Sequence, residues 1–209
     1  MGGDFYDFFL IDSTHLGMVM ADVSGKGVPA ALFMMVSKIL VQNYAMMVKS
    51  PKEVLEATNR QICANNREDM FVTVWFGILD LESGKLTASN AGHEYPVMKK
   101  PDGSFEMIKD KHGFVIGGMD GARYSEYELQ MDPGAKLFLY TDGVAEATNA
   151  SDELFGTDRM VNALRIAEND PPRDILGVVN AAVDDFVQKA PQFDDLTMMC
   201  VEFIGPQGE

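Results

Sequence analysis

The sequence predicts an α+β protein with two mostly antiparallel sheets flanked by helices. Three observations carry that reading. Apolar segments of period two, broken by Gly, Pro, Asn and Asp turns, recur along the chain. Four longer segments have helical period instead. The two kinds are grouped and do not strictly alternate, which favours antiparallel sheets over βαβ units.

Each element follows from local pattern. Residues 5–11 and 15–21 read as strands, and Asp12, Ser13 and Thr14 between them make a hairpin. Residues 28–48 read as a helix, with Pro29 in the first turn, where its missing N–H costs nothing. Its polar stripe is narrow (Ser37, Lys38 and Gln42), so burial on most sides is expected. Pro51 separates it from a second helix over 52–65. From residue 70 the period changes. Strands are expected over 71–81, 84–90, 95–100, 105–108, 123–130 and 135–140, with a glycine-rich connection over 113–121. Helices over 157–168 and 172–189 follow, the latter with Ile175, Val179, Val183 and Phe186 on one face. A last strand spans 196–203, and 205–209 reads as a flexible tail.

Composition excludes several functions. Of the 209 residues, 46% are hydrophobic and 23% charged, as in a globular protein with a sizeable core. The net charge of −15 argues against a nucleic-acid partner, which needs clustered Lys and Arg. Lys99, Lys100, Lys109 and Lys111 cluster weakly among acids and read as a solvated loop. Cys63 and Cys200 lie in apolar patterns and read as reduced core residues of a cytoplasmic protein. Neither begins a Cys-x5-Arg motif, since Asp69 stands six after Cys63. No signal peptide is visible, and no apolar run reaches the roughly 18 residues that suggest a membrane span. Direct membrane contact is therefore not expected. Fifteen methionines fall mostly at core positions and read as packing.

Four aspartates stand out. Asp22 and Asp142 each end an apolar strand before a glycine-containing turn, while Asp4 and Asp194 precede strands. Singly, each is as well read as a turn former or helix cap. In antiparallel sheets, however, strand starts and strand ends share an edge, so the four can converge. Gathered carboxylates suit Mg²⁺ or Mn²⁺. Such ions lower the pKa of a bound water for attack on phosphorus and neutralise phosphoryl charge. No protein nucleophile is evident. His93 lies in a functional-looking turn and reads either as a proton donor to a leaving alkoxide or as a turn histidine. Lys26 reads equally as a phosphate-steering or a solvated residue. Gly25-Lys26 is no P-loop, because Met20 and Gly27 occupy positions that need Gly and Ser or Thr. Gly-Gly-Asp-Phe at the start lacks the upstream chain a cyclase domain requires.

Five motifs occur in order: Gly-Gly-Asp-Phe-Tyr-Asp, Ala-Asp-Val-Ser-Gly-Lys-Gly-Val-Pro-Ala-Ala, Asn-Ala-Gly-His-Glu-Tyr-Pro, Tyr-Thr-Asp-Gly-Val-Ala-Glu-Ala and Asp-Asp-Leu-Thr. Together they closely resemble the bacterial stage II sporulation protein E-like serine phosphatases of the metal-dependent protein phosphatase 2C superfamily. The resemblance spans essentially the whole chain. It implies a four-layer α-β-β-α sandwich and a catalytic domain over 1–204. It further implies two or three Mn²⁺ or Mg²⁺ ions, with Asp22 bridging and the Val23 carbonyl as a further ligand. Asp142 and Asp194 would complete one ion's shell, and Asp4 would sit near the other. Asp195 falls where the superfamily often has Asn, and Asp7 is a candidate for an outer role.

The implied substrate is a phosphoserine or phosphothreonine on a regulatory protein of the anti-sigma-factor antagonist type. A catalytically weak, partner-binding module is the alternative. An upstream sensor or receiver domain and a second copy of the chain are the other partners considered. Two departures stand out. The arginines, at 60, 67, 123, 159, 165 and 173, lie outside the first motif, so phosphate must rely on metals and backbone amides. The sequence also starts almost on Asp4, which suggests a domain excised from a longer regulatory protein.

Overall fold

In the computed structural model, which describes residues 2–66, 68–191 and 194–206, the elements follow the expected order. They are β1 (Phe5–Leu10), β2 (His15–Val23), α1 (Val28–Met47), α2 (Pro51–Cys63), β3 (Val72–Asp80), β4 (Lys85–Ala91), β5 (Val97–Lys99), β6 (Phe105–Met107), β7 (Glu126–Gln130), β8 (Lys136–Tyr140), α3 (Asp142–Ala145), α4 (Gly156–Ile166), α5 (Pro172–Val187) and β9 (Met198–Glu202). Arg67, Phe193 and the last three residues of the expected tail lie outside the described residues. The chain divides into two units. The first comprises Met1–His93 and Asp110–Gln130, with residues after 204, and the second comprises Glu94–Lys109 and Met131–Ile204.

The first unit holds a five-stranded antiparallel sheet in the order β1-β2-β3-β4-β7. Alternation sets one face. Phe5, Val19, Ala21, Val23, Val74 and Phe76 turn toward the core that α1 and α2 share with the sheet. The hairpin is fixed by Asp12, whose Oδ1 accepts from the backbone N–H of Thr14 and of His15, both at 2.9 Å. Lys49 pairs with the other carboxylate oxygen. Ser50 caps α2, its hydroxyl accepting from the Glu53 N–H at 3.4 Å and donating to Glu126 on β7 at 2.6 Å.

The expectation that α1 is buried on most sides is wrong. Only Ala30, Ser37, Val41 and Ala45 are buried, while Val28, Leu32, Met35, Val36, Ile39, Met46 and Met47 are exposed. Ser37, assigned to the polar stripe, instead lies inside and returns its hydroxyl to the Phe33 carbonyl at 2.8 Å. A helix apolar all round carries no periodic signal for its buried face, so small residues settle the contact with the sheet. Although Ser37, Lys38 and Gln42 interrupt its apolar run, the 20 residues of this helix are long and apolar enough to cross a membrane by length and composition.

The second unit holds a four-stranded antiparallel sheet in the order β6-β5-β8-β9, with α4 and α5 sharing its core. Here Lys99 corrects the solvated-loop reading. It is paired in register with Lys136 across β5 and β8, and both are buried. Lys136 donates to the Glu168 carbonyl at 3.2 Å and to the Asp170 carbonyl at 2.7 Å, and Lys99 also reaches Glu168. The two ammoniums thus satisfy carbonyls just past the C-terminus of α4, where the helix dipole favours positive charge. Lys100 does project outward, to Glu106. Cys200 is partly buried against the core of this unit, and desolvation pushes its thiol up to about 12.

Candidate functional site

The first unit places Asp4 and Asp22 side by side. Phe5 lies opposite Ala21, so one further step of the antiparallel register sets Asp4 against Asp22 and Gly3 against Val23. The approach is close: a Cβ on Gly3 would stand 2.7 Å from the Val23 carbonyl oxygen, so glycine is required there. Directly opposed residues project from the same face, which puts both carboxylates on the face away from α1 and α2. Neither is buried. Asp7 points the other way, to Lys38 at 3.4 Å, and the alternation of β1 removes it from the outer role considered for it. Lys26 is exposed in the loop that follows Val23.

On β3, Thr73 is the register partner of Asp22. Its hydroxyl lies 2.9 Å from His93 Nδ1 and 3.4 Å from the Asp22 carbonyl oxygen. His93 is buried, with 3% of its surface exposed. Asn90 brackets its backbone, accepting from the His93 N–H at 2.7 Å and donating to the His93 carbonyl at 3.0 Å.

The second unit gathers Asp142, Asp194 and Asp195. The turn expected after Asp142 is a short helix, α3, entered from Thr141. The Thr141 N–H donates to the Thr197 carbonyl at 3.0 Å, and the Thr197 N–H to the Thr141 hydroxyl at 3.2 Å. These bonds draw the segment before β9 onto the end of β8. Gly143 permits the contact, because a Cβ there would collide with the Asp195 carbonyl. Asp194 accepts from the Asp195 N–H at 2.9 Å. A cavity of about 220 Å³ opens beside this group, with Gly143, Glu146, Asn180, Asp184 and Asp194 in its wall.

Glu94, which the sequence reading passed over, belongs to the same neighbourhood. Burial raises its carboxyl above the ordinary value of 4.5, and the nearby Asp142 and Glu146 charges add to the rise. The Tyr140 hydroxyl, 3.4 Å away, opposes it. Burial and the Glu94 charge in turn push the Tyr140 phenol well above its usual range. The available signal was an acid immediately after His93 in one motif. Asn90 shows in the sequence only as the first residue of that motif, and nothing in the sequence marks Thr73 or Asp110.

By donor type, these residues fit a hard divalent cation. All are oxygen donors, they sit at strand ends, and like charges placed opposite one another are destabilising until a cation offsets them. Among the described residues, no three His, Cys, Asp or Glu side chains are already drawn to ligand distance. The carboxylates lie as small sets, Asp4 with Asp22 in one unit and Asp142 with Asp194 and Asp195 in the other.

Comparison with known proteins adds to this geometry. Residues 12–204 match the family model described as Stage II sporulation protein E (SpoIIE). Protein IcfG of Synechocystis sp. is 29% identical over 228 residues, covering 96% of this chain and 36% of that protein. Phosphoserine phosphatase RsbU of Bacillus subtilis is 31% identical over 147 residues, covering 70% of this chain and 43% of RsbU. The chain thus spans less than half the length of these relatives. Among solved structures, the SiaA-PP2C domain of Pseudomonas aeruginosa superposes with a TM-score of 0.85 at 23% identity, over 97% of this chain and 81% of that one. The PP2C domain with a regulatory fragment of SpoIIE from Bacillus subtilis gives 0.82 at 16%, over 96% and 58%. The two antiparallel sheets and their helices are therefore those of the PP2C fold.

Proposed function

The chain belongs to the Stage II sporulation protein E (SpoIIE) family, and on that premise we propose that residues 1–204 form a metal-dependent serine/threonine phosphatase domain. The observation that carries the reading is the placement of the motif aspartates: Asp4 against Asp22 in one unit, and Asp142 against Asp194 and Asp195 in the other. We propose Asp4, Asp22, the Val23 carbonyl, Asp142, Asp194 and Asp195 as the residues that hold two or three Mn²⁺ or Mg²⁺ ions. When bound, the ions supply a water of lowered pKa and offset phosphoryl charge. The chain's own part is to hold hard donors at fixed strand ends and to leave them accessible. Backbone amides of the glycine-rich loop after Val23, with Lys26, are proposed to orient the phosphate.

The substrate is proposed to be a phosphorylated regulatory protein of the anti-sigma-factor antagonist type, met in the cytoplasm. Support comes from two relatives named as phosphoserine phosphatases, RsbU and RsbP. An upstream regulatory domain is also proposed, since the match covers only 36% of IcfG and 43% of RsbU.

The test is hydrolysis of p-nitrophenyl phosphate and of a phosphoserine protein with added Mn²⁺. Asp22→Asn and Asp142→Asn should each lower turnover by about 100-fold or more, while both variants stay folded. Metal-loaded wild type no faster than Asp22→Asn on either substrate would sink the reading and leave a partner-binding module in its place.

A further inference from the structure

A run of hydrogen bonds in the first unit leads from a buried carboxylate to the end of β2. Asp110 has a side chain only 1% exposed, and its Oδ1 lies 3.0 Å from His112 Nε2. Its Oδ2 accepts from Asn90 Nδ2 at 3.2 Å. The Tyr127 hydroxyl also bonds this carboxylate, and Trp75 Nε1 donates to that hydroxyl at 2.7 Å. Asn90, itself 1% exposed, grips His93 by both backbone groups. His93 Nδ1 meets the Thr73 hydroxyl, and Thr73 meets the Asp22 carbonyl. The Thr73 hydroxyl has one proton. Given to the Asp22 carbonyl, it leaves the oxygen to accept from His93 Nδ1–H, which fixes the tautomer of the imidazole.

We propose that Asp110, Asn90, His93 and Thr73 form a bracket that positions the Asp22–Val23 peptide, and that His93 acts through Thr73 and donates no proton to the leaving group. Three features favour this over catalysis by His93. The imidazole is buried, its backbone is clamped on both sides, and its Nδ1 is committed to a strand residue paired with Asp22. The peptide it reaches joins the α-carbon that bears the Asp22 side chain to the α-carbon that bears the Val23 carbonyl. A shift of that peptide moves two proposed ligands together, and partners of this kind typically alter metal affinity by 10–100-fold. The inference rests on the phosphatase reading for its consequence, but not for its geometry.

The experiment uses the chain as it stands, with Thr73→Val, Thr73→Ser, Asn90→Ala and His93→Gln. Thr73→Val removes the hydroxyl with little change of shape, so it tests the bracket even where Asn90→Ala fails to fold. Mn²⁺ binding is read by the electron spin resonance of free Mn²⁺. Thr73→Val should weaken it about tenfold, and Thr73→Ser should restore it. At subsaturating Mn²⁺, Thr73→Val and His93→Gln should slow p-nitrophenyl phosphate and a phosphoserine peptide by the same factor, because p-nitrophenolate needs no proton to leave. His93→Gln slowing the phosphoserine peptide alone, with Mn²⁺ affinity unchanged, would overturn the proposal. If wild type binds no Mn²⁺, the phosphatase reading falls, and amide exchange over 22–24 in the metal-free protein decides the bracket. Faster exchange in Thr73→Val supports it, and unchanged exchange refutes it.

Discussion

Glu94 is a residue whose charge the fold resists. Its folded carboxyl is held above the ordinary 4.5, because it is partly buried and lies near the Asp142 and Glu146 charges. The folded state therefore keeps a proton that the unfolded chain has already released. Stability falls as pH rises from the ordinary glutamate value through the raised one. In metal-free protein, Glu94→Gln should be more stable than wild type at pH 7, with the difference gone below about pH 4. Urea unfolding across that range checks both parts. Lys136 makes the opposite case. Its ammonium is buried but bonded to two carbonyls, so Lys136→Ala should cost about 2–3 kcal/mol, measured the same way. Neither role was legible in the sequence. Lys136 opens a strand like many other lysines, and the environment of Glu94 comes from residues about fifty positions away. The motif aspartates were legible because each ends or begins an apolar run. Asp110 and Thr73 were not, since only register and a turn of chain bring them to Asn90 and Asp22.

Among the elements, α1 separates composition from packing. Its apolar residues on the outer side contribute little to stability. Leu32→Glu or Ile39→Glu should change the unfolding free energy by no more than about 0.5 kcal/mol, and either should raise solubility. Val41→Ala, on the buried side, should cost about 2 kcal/mol. Equal losses from both sides would show that α1 is covered in solution. Strand and helix order could be read from period and turn residues, because short apolar runs that end at Gly, Pro, Asn or Asp mark the strands and longer runs of helical period mark the helices. The buried side of α1 could not, because Leu, Ile, Met and Val occupy nearly every position.

At the scale of the whole molecule, the net charge of −15 sets the response to ions. Self-repulsion of the compact state should be relieved by cations, bound cations above all. Mn²⁺ at about 100 times its dissociation constant should add about 2.7 kcal/mol to the unfolding free energy. Asp22→Asn should abolish most of that gain, while an equal ionic strength of NaCl should not reproduce it. The division of the chain carries one more consequence. It passes from one unit to the other immediately after His93, returns at Asp110, and leaves again after Gln130. β7, the edge partner of β4, is thus synthesised only after β5 and β6 have emerged. A ribosome that has released residues 1–93 has made four of five strands, with β4 still an open edge ready to template a neighbouring chain. Fragments ending there should aggregate, and completion of the first sheet should wait until the intervening β5 and β6 have been made.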